Sequence, residues 1–209
     1  MDERYYLHHY QGKQTIKDRV ESIGVPHPEV ALILRNSQPV EFSYLVQPGD
    51  LFSIYPYLYN LKLSPSESLL PEYPLNKPKL ILDVHLGKLA RYLRRFGFDT
   101  AYRNDYQDQE IVEQAASEKR IILSRDLGLL MRKKVKWAKF IWNDDPKQQL
   151  QEVFERYQLS KYYQGESRCV NCNSKLEDVD KAEIVERLEP KTKKYFTEFK
   201  YCQQCDKIY

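Results

Sequence analysis

Only four cysteines occur in the 209 residues, and none precedes position 169. A disulfide framework running through the chain is therefore excluded, and clustered cysteines in a reducing compartment point to a metal. Glycine is scarce too, at seven residues with no two adjacent. A phosphate-cradling glycine loop is not expected from so few. The histidines, His8, His9, His27 and His85, are scattered, and no Ser/His/Asp arrangement is evident. No apolar run approaches the roughly 18 residues of a membrane span. The start, "MDERYYLHHY", has no basic region followed by an apolar stretch. The chain reads as cytoplasmic, with no membrane partner.

What remains is a charged, mixed composition: 42% hydrophobic, 30% charged and a net charge of +3. That fits a soluble globular protein of one large domain or two to three small ones. The net charge alone does not argue for nucleic acid, since the position of the cations matters more.

Residues 1–63 read as a small α+β unit. Thr15 can cap a short helix carrying Ile16, Val20 and Ile23. "VALILR" (30–35), "VEFSYLV" (40–46) and "LFSIYPY" (51–57) are strand candidates separated by the turns "NSQP" and "QPGD". These features resemble β-grasp, ubiquitin-like domains related to small sulfur carriers. Such carriers end in Gly-Gly, which this chain lacks. A binding or packing module is therefore expected, with a protein partner, and a purely structural appendage is its equal alternative. Residues 64–78 hold four prolines and read as a linker or an extended connection over a surface.

Residues 79–163 alternate strand and helix, which implies a parallel sheet with right-handed crossovers. Strands are expected at "KLILD" (79–83), "DTAYRN" (99–104), "RIILSRD" (120–126) and "WAKFIW" (137–142). Helices are expected at "LGKLARYLRRFG", "DQEIVEQAASEK" and "PKQQLQEVFERY", the last with Asp145 as cap and Pro146 at its first position, and "LGLLMRKK" reads as a short helix or a turn. In such sheets, sites gather beyond the carboxyl ends of the strands. Asp83 and Asp126 end strands, Asp108 starts a helix, and Asp144 follows the fourth strand. Four carboxylates together repel unless a cation intervenes, and hard oxygen donors suit Mg²⁺ or Mn²⁺. Asp108 reads equally as an N-cap, and Asp83 and Asp126 each have a cap or turn reading as well.

The helix after Asp83 has Leu86, Leu89, Leu93 and Phe96 on one face. Lys88, Arg91 and Arg95 lie opposite, with Arg94 on the flank. Such a stripe is ordinarily a solvated face. Its start beside Asp83, and a second basic run "MRKKVKWAK" after Asp126, make a phosphate-binding margin around an acidic centre the alternative.

"CVNC" (169–172) and "CQQC" (202–205) offer two thiolates each. Cys169, Cys172, Cys202 and Cys205 complete a tetrahedral structural Zn²⁺ site with no open position. The intervening "AEIVERL" and "YFTEFKY" are expected to be strands of a zinc ribbon over 164–209. Lys191, Lys193, Lys194 and Lys200, with Tyr195, Phe196 and Tyr201, can meet nucleic acid by charge and stacking. Packing on the core is the equal alternative.

"LDVHLGKLARYLRRFGFDT", "DYQDQEIVEQAASEKRIILSRDLGLL" and the cysteine pairs resemble the Mut7-C ribonuclease family, a branch of the PIN-type nucleases. The resemblance implies an α/β fold with a PIN-like parallel-sheet core between an N-terminal β-grasp domain and a C-terminal zinc ribbon. It implies RNA cleavage, with Asp83, Asp108 and Asp126 on the metal and Asp144 as the fourth carboxylate. Lys88, Arg91 and Arg94 match the family's basic helix, and Arg125 joins them as a phosphate contact. The expected activity is Mg²⁺- or Mn²⁺-dependent, endonucleolytic RNA hydrolysis. The alternatives are a non-catalytic RNA- or ribosome-binding protein, and an adaptor built on the β-grasp domain.

Overall fold

A computed structural model describes residues 7, 9, 12–56, 63, 64 and 67–209. His8, Tyr57 and most of "LYNLKL" lie outside the described residues. Helix α1 (Ile16–Ser22) starts as expected. Thr15 accepts from the Asp18 backbone N–H at 3.2 Å, and Asp18 accepts in return from Thr15 N at 3.0 Å. Strand β1 (Val30–Arg35) turns through Asn36 and Ser37, both at positive φ, into β2 (Gln38–Pro39), and pairs on its other side with β3 (Phe52–Pro56). The expected strand at 40–46 does not form. A turn at 42–43, with Tyr44 N donating to Glu41 O, interrupts it. Its alternation still holds as packing, since Phe42, Tyr44 and Val46 face the core of Ile16, Val20, Val30 and Ile33.

Strand β4 (Leu80–Leu82) is wholly buried and parallel to β5 (Thr100–Ala101) and β6 (Ile121–Ser124), with Leu80 opposite Thr100 and Ile121. Helix α2 (Gly87–Arg95) follows β4, α3 (Asp108–Glu118) follows β5, and α4 (Leu127–Leu130) follows β6. The three strands lie in the order β5-β4-β6, and strand β7 (Ala138–Phe140) follows α4 in the chain. Helix α5 (Pro146–Tyr157) begins at Asp145, whose carboxylate accepts from Lys147 N and Gln148 N. It packs on α2, with the Phe154 ring edge-on to Phe96 at 5.1 Å and Phe98 at 5.6 Å. Helix α2 ends at Gly97, at φ +76°. A Cβ there would also sit 2.6 Å from the Glu166 carbonyl, so both backbone conformation and close approach require glycine.

After α5 come β8 (Glu177–Val179), α6 (Lys181–Ile184), α7 (Pro190–Tyr195), β9 (Phe199–Cys202) and β10 (Lys207–Ile208), the strands in the order β10-β9-β8. The strand expectation for "AEIVERL" is corrected. Asp180 caps α6 by accepting from Ala182 N. Ile184 and Leu188, four apart, pack with Phe199, which is helical spacing. In "YFTEFKY" only the second half is strand.

By mutual contact the chain forms two compact units, residues 1–74 with 126–140, and residues 75–125 with 141–209. The first unit takes in a stretch expected within the α/β core, for visible reasons. His27 sets Nδ1 against Glu21 at 2.6 Å and Nε2 against the Val135 carbonyl at 2.9 Å. Glu29 accepts from Phe140 N at 2.7 Å, and Trp137 donates to Pro71 O at 3.1 Å. Leu69 N bonds to Ala31 O, so this part of the proline-rich stretch packs against β1. Among the described residues no helix is long and apolar enough to cross a membrane.

Candidate functional site

Asp83 sits where the buried strand β4 ends. It is itself buried, with Oδ2 accepting from the Ser124 hydroxyl at 2.8 Å and Oδ1 from Val84 N at 2.6 Å. It caps a 3-10 turn, Val84–Leu86, that leads into α2. Asp108 is the first residue of α3, and the cap belongs to Gln107, paired with Glu110. Asp126 is exposed and caps α4, accepting from Gly128 N at 2.7 Å. Asp144 is exposed and paired with Arg125. Among the described residues, the set of three or more potential ligand side chains that gathers tightly is the four cysteines.

The cations gather more than the acids do. Lys88, Arg91 and Arg125 line an open cavity of about 540 Å³ together with His85, Tyr102, Asp144 and Gln149. Leu86, Leu89 and Leu93 bury the opposite side of α2, which leaves Lys88 and Arg91 exposed. Tyr102 donates to the Val84 carbonyl at 2.9 Å, beside Gly87. A Cβ on Gly87 would fall 2.6 Å from the Tyr102 hydroxyl, so glycine makes room for this wall of the cavity. Tyr102 and Gln149 were not among the expected site residues. Tyr102 follows β5 by one residue, so the strand-end rule that picked out Asp83 applies to it as well. His85 is exposed and lines the same cavity.

Arg94 departs from the expected phosphate contact. It is buried, and its guanidinium donates to the carbonyls of Thr100 (3.0 Å), Val170 (2.9 Å) and Asn171 (2.9 Å). The last two belong to the first cysteine knuckle, so Arg94 ties α2 to the ribbon. Burial lowers its pKa, opposed by the charge of Cys169. Beside it, Asn173 accepts from Thr100 N and donates to Asp99, which accepts also from Arg120 at 2.7 Å.

The cysteine set fits a zinc ion. The four Sγ atoms lie within 4.8 Å of one another, with Cys172 and Cys202 at 3.4 Å. The thiols divide in acidity. Burial opposes ionisation of Cys169, yet the Tyr209 hydroxyl and the backbone N–H groups of Cys172 and Asn171 bring it down to about 6. Burial likewise opposes ionisation of Cys172, and Ser174 lowers it. Cys205 is pushed up to about 12, first by its hydrogen bond with Cys172, and burial raises Cys202. Four sulfur donors this close together suit a dication that binds thiolates.

Residues 78–209 match the family model described as Mut7-C RNAse domain, and residues 2–62 match the one described as Mut7-C ubiquitin. No curated protein and no solved structure matches the chain.

Proposed function

The chain belongs to the Mut7-C family, and from that premise we propose that it is a metal-dependent ribonuclease that hydrolyses phosphodiester bonds within RNA chains. The observation that carries this reading is the basic cavity. Three cations from α2 and the end of β6 surround a space large enough for a nucleotide, and the sheet edge beside α2 ends in the buried carboxylate Asp83. Lys88, Arg91 and Arg125 hold phosphates and offset developing charge. The Tyr102 ring offers a base a stacking face.

Asp83, Asp108 and Asp126 are the carboxylates that would hold Mg²⁺ or Mn²⁺, with Asp144 as the fourth. Their oxygens suit such ions. Mg²⁺ commonly takes one or two protein carboxylates and fills its remaining positions with water and substrate phosphate, so a pre-gathered cage is not required. When bound, the ion supplies a more acidic water and charge for the leaving oxygen. Ser124 and the Val84 N–H hold the Asp83 carboxylate in one orientation beforehand. The ubiquitin-like domain, with no Gly-Gly in the chain, serves as a module for a protein partner. The setting is cytoplasmic, where reduced cysteines keep zinc.

The second reading is a non-catalytic RNA- or ribosome-binding protein. Its support is that three cations share an open cavity while Asp83 is buried and already accepts two hydrogen bonds. Labelled single-stranded RNA incubated with Mn²⁺ separates the two. The ribonuclease reading expects internal cuts by the wild type, none with chelator, and none by Asp126→Asn, which still binds. Binding without cutting by the wild type favours the second reading.

A further inference from the structure

The ribbon carries two neighbouring aromatic rings that its core does not use. Tyr195 is 68% exposed and Phe196 is 60% exposed. They end α7, a helix opened by Pro190 and bounded by the cap bond from Phe196 N to Thr192 O at 3.1 Å. The tip is held in place. The Lys181 ammonium donates to the carbonyls of Lys193 and Phe196, the latter at 2.9 Å, and Ile184, Leu188 and Phe199 pack into a small core in the same ribbon. Lys191 and Lys194 are exposed on the same short helix, with the Lys194 ammonium 5.3 Å from the Tyr195 ring centroid.

We propose that the Tyr195–Phe196 tip, with Lys191 and Lys194, is a second contact for single-stranded RNA, separate from the Lys88–Arg91–Arg125 cavity. The proposal rests on the reading of the chain as a protein that acts on RNA. The chemistry selects this occupant. Lysine is depleted at protein–protein interfaces, whereas single strands are held by aromatic faces for bases beside cations for phosphates. Single-strandedness follows from the rings, since a base must be unstacked from its neighbours to lie on them. The rest of the ribbon does not compete for the role. Lys200 is paired with Asp178 at 2.8 Å, and the Tyr201 hydroxyl donates to Asp206 at 2.6 Å.

The test uses the full-length, zinc-loaded chain and fluorescent oligouridines of about 4 and about 16 nucleotides, bracketing common single-strand site sizes. Affinity is measured in chelator for the catalytic ion at a level that leaves zinc bound, so that no cutting intervenes. The double variant Tyr195→Ala/Phe196→Ala should bind the long strand about fivefold or more weakly and the short strand as the wild type does. Tyr195→Phe should retain wild-type affinity. Lys191→Ala/Lys194→Ala should flatten the logarithmic salt dependence for the long strand by about 1.4, at roughly 0.7 per phosphate contact. Unchanged zinc content and melting temperature certify each fold. Equal long-strand binding by wild type and the aromatic double variant overturns the tip and leaves the ribonuclease reading standing. Equal loss on both lengths overturns the separateness of the two surfaces. A wild type that binds neither length removes the RNA reading and the tip with it.

Discussion

The two sets of proposed metal ligands differ in how they are assembled. The four cysteines come from two local knuckles, each a Cys-x₂-Cys turn, and their Sγ atoms stand within 4.8 Å of one another. The carboxylates Asp83, Asp108 and Asp126 come from a strand end, a helix start and a helix cap. Neutral thiols tolerate crowding, and a metal that binds them displaces their protons. Asp83 and Asp126 each accept a local backbone hydrogen bond instead. The comparison sets ligands that two local turns bring together against proposed ligands that separate elements would have to supply.

The largest expected effect lies on the cysteine side. Cys202→Ser should abolish zinc binding and unfold residues of the ribbon, because structural zinc contributes on the order of 10 kcal/mol to such small units. Zinc analysis and circular dichroism check this. Unchanged melting in a strong chelator would show that the cage is not structural.

Next is Arg94→Ala. It would strip donors from the Val170, Asn171 and Thr100 carbonyls, at a cost of about 3 kcal/mol. Urea unfolding should show that loss, while Lys88→Ala, on the exposed face of the same helix, should weaken RNA binding with little change in stability. The reverse pattern would restore Arg94 to the substrate side.

Acid stability gives a smaller effect. Burial pushes the Asp99 carboxyl up, but Arg120, with Asn173 and Arg168, outweighs it and holds the pKa below the ordinary carboxylate value. A folded pKa below the unfolded one contributes stability that is fully present above about pH 4 and lost as pH falls through the folded value. Asp99→Asn should therefore lower stability at pH 7 and flatten the acid limb of the melting curve. An unaltered acid limb would mean that Asp99 titrates alike in both states.

The smallest effect tests the carboxylates. Asp144 pairs with Arg125 in the cavity, so Asp144→Asn should release the guanidinium and tighten metal-free RNA binding a few-fold. Weaker binding would mean that the pair itself positions Arg125.

Much of this was legible beforehand where the signal is local. "PKQQLQEVFERY" behind Asp145 is the helix 146–157, "VALILR" is the strand 30–35, and the paired cysteines meet. "VEFSYLV" alternates as a strand does, but a turn at 42–43 costs it the ladder. "AEIVERL" looked like ribbon strand, and the cap at Asp180 with the Ile184–Leu188 spacing makes it helix. Arg94 looked like one more cation on a basic helix. Its burial depends on a carbonyl pair more than seventy residues later, at Val170 and Asn171, and no local pattern carries that. Tyr102 was hidden for the converse reason: the carboxylates drew attention to the strand ends, and an aromatic one residue past β5 passed as part of a strand.

The central claim is that one metal builds the fold and another performs the chemistry, through different residues. Rates of cleavage of single-stranded RNA with Mn²⁺ by Asp83→Asn, with its zinc content measured in the same sample, test it most directly. The account predicts full zinc occupancy, retained RNA binding and a cleavage rate reduced by at least about a hundredfold, on the scale of losing a group that acts in the transition state. Cutting at the wild-type rate by Asp83→Asn would contradict it.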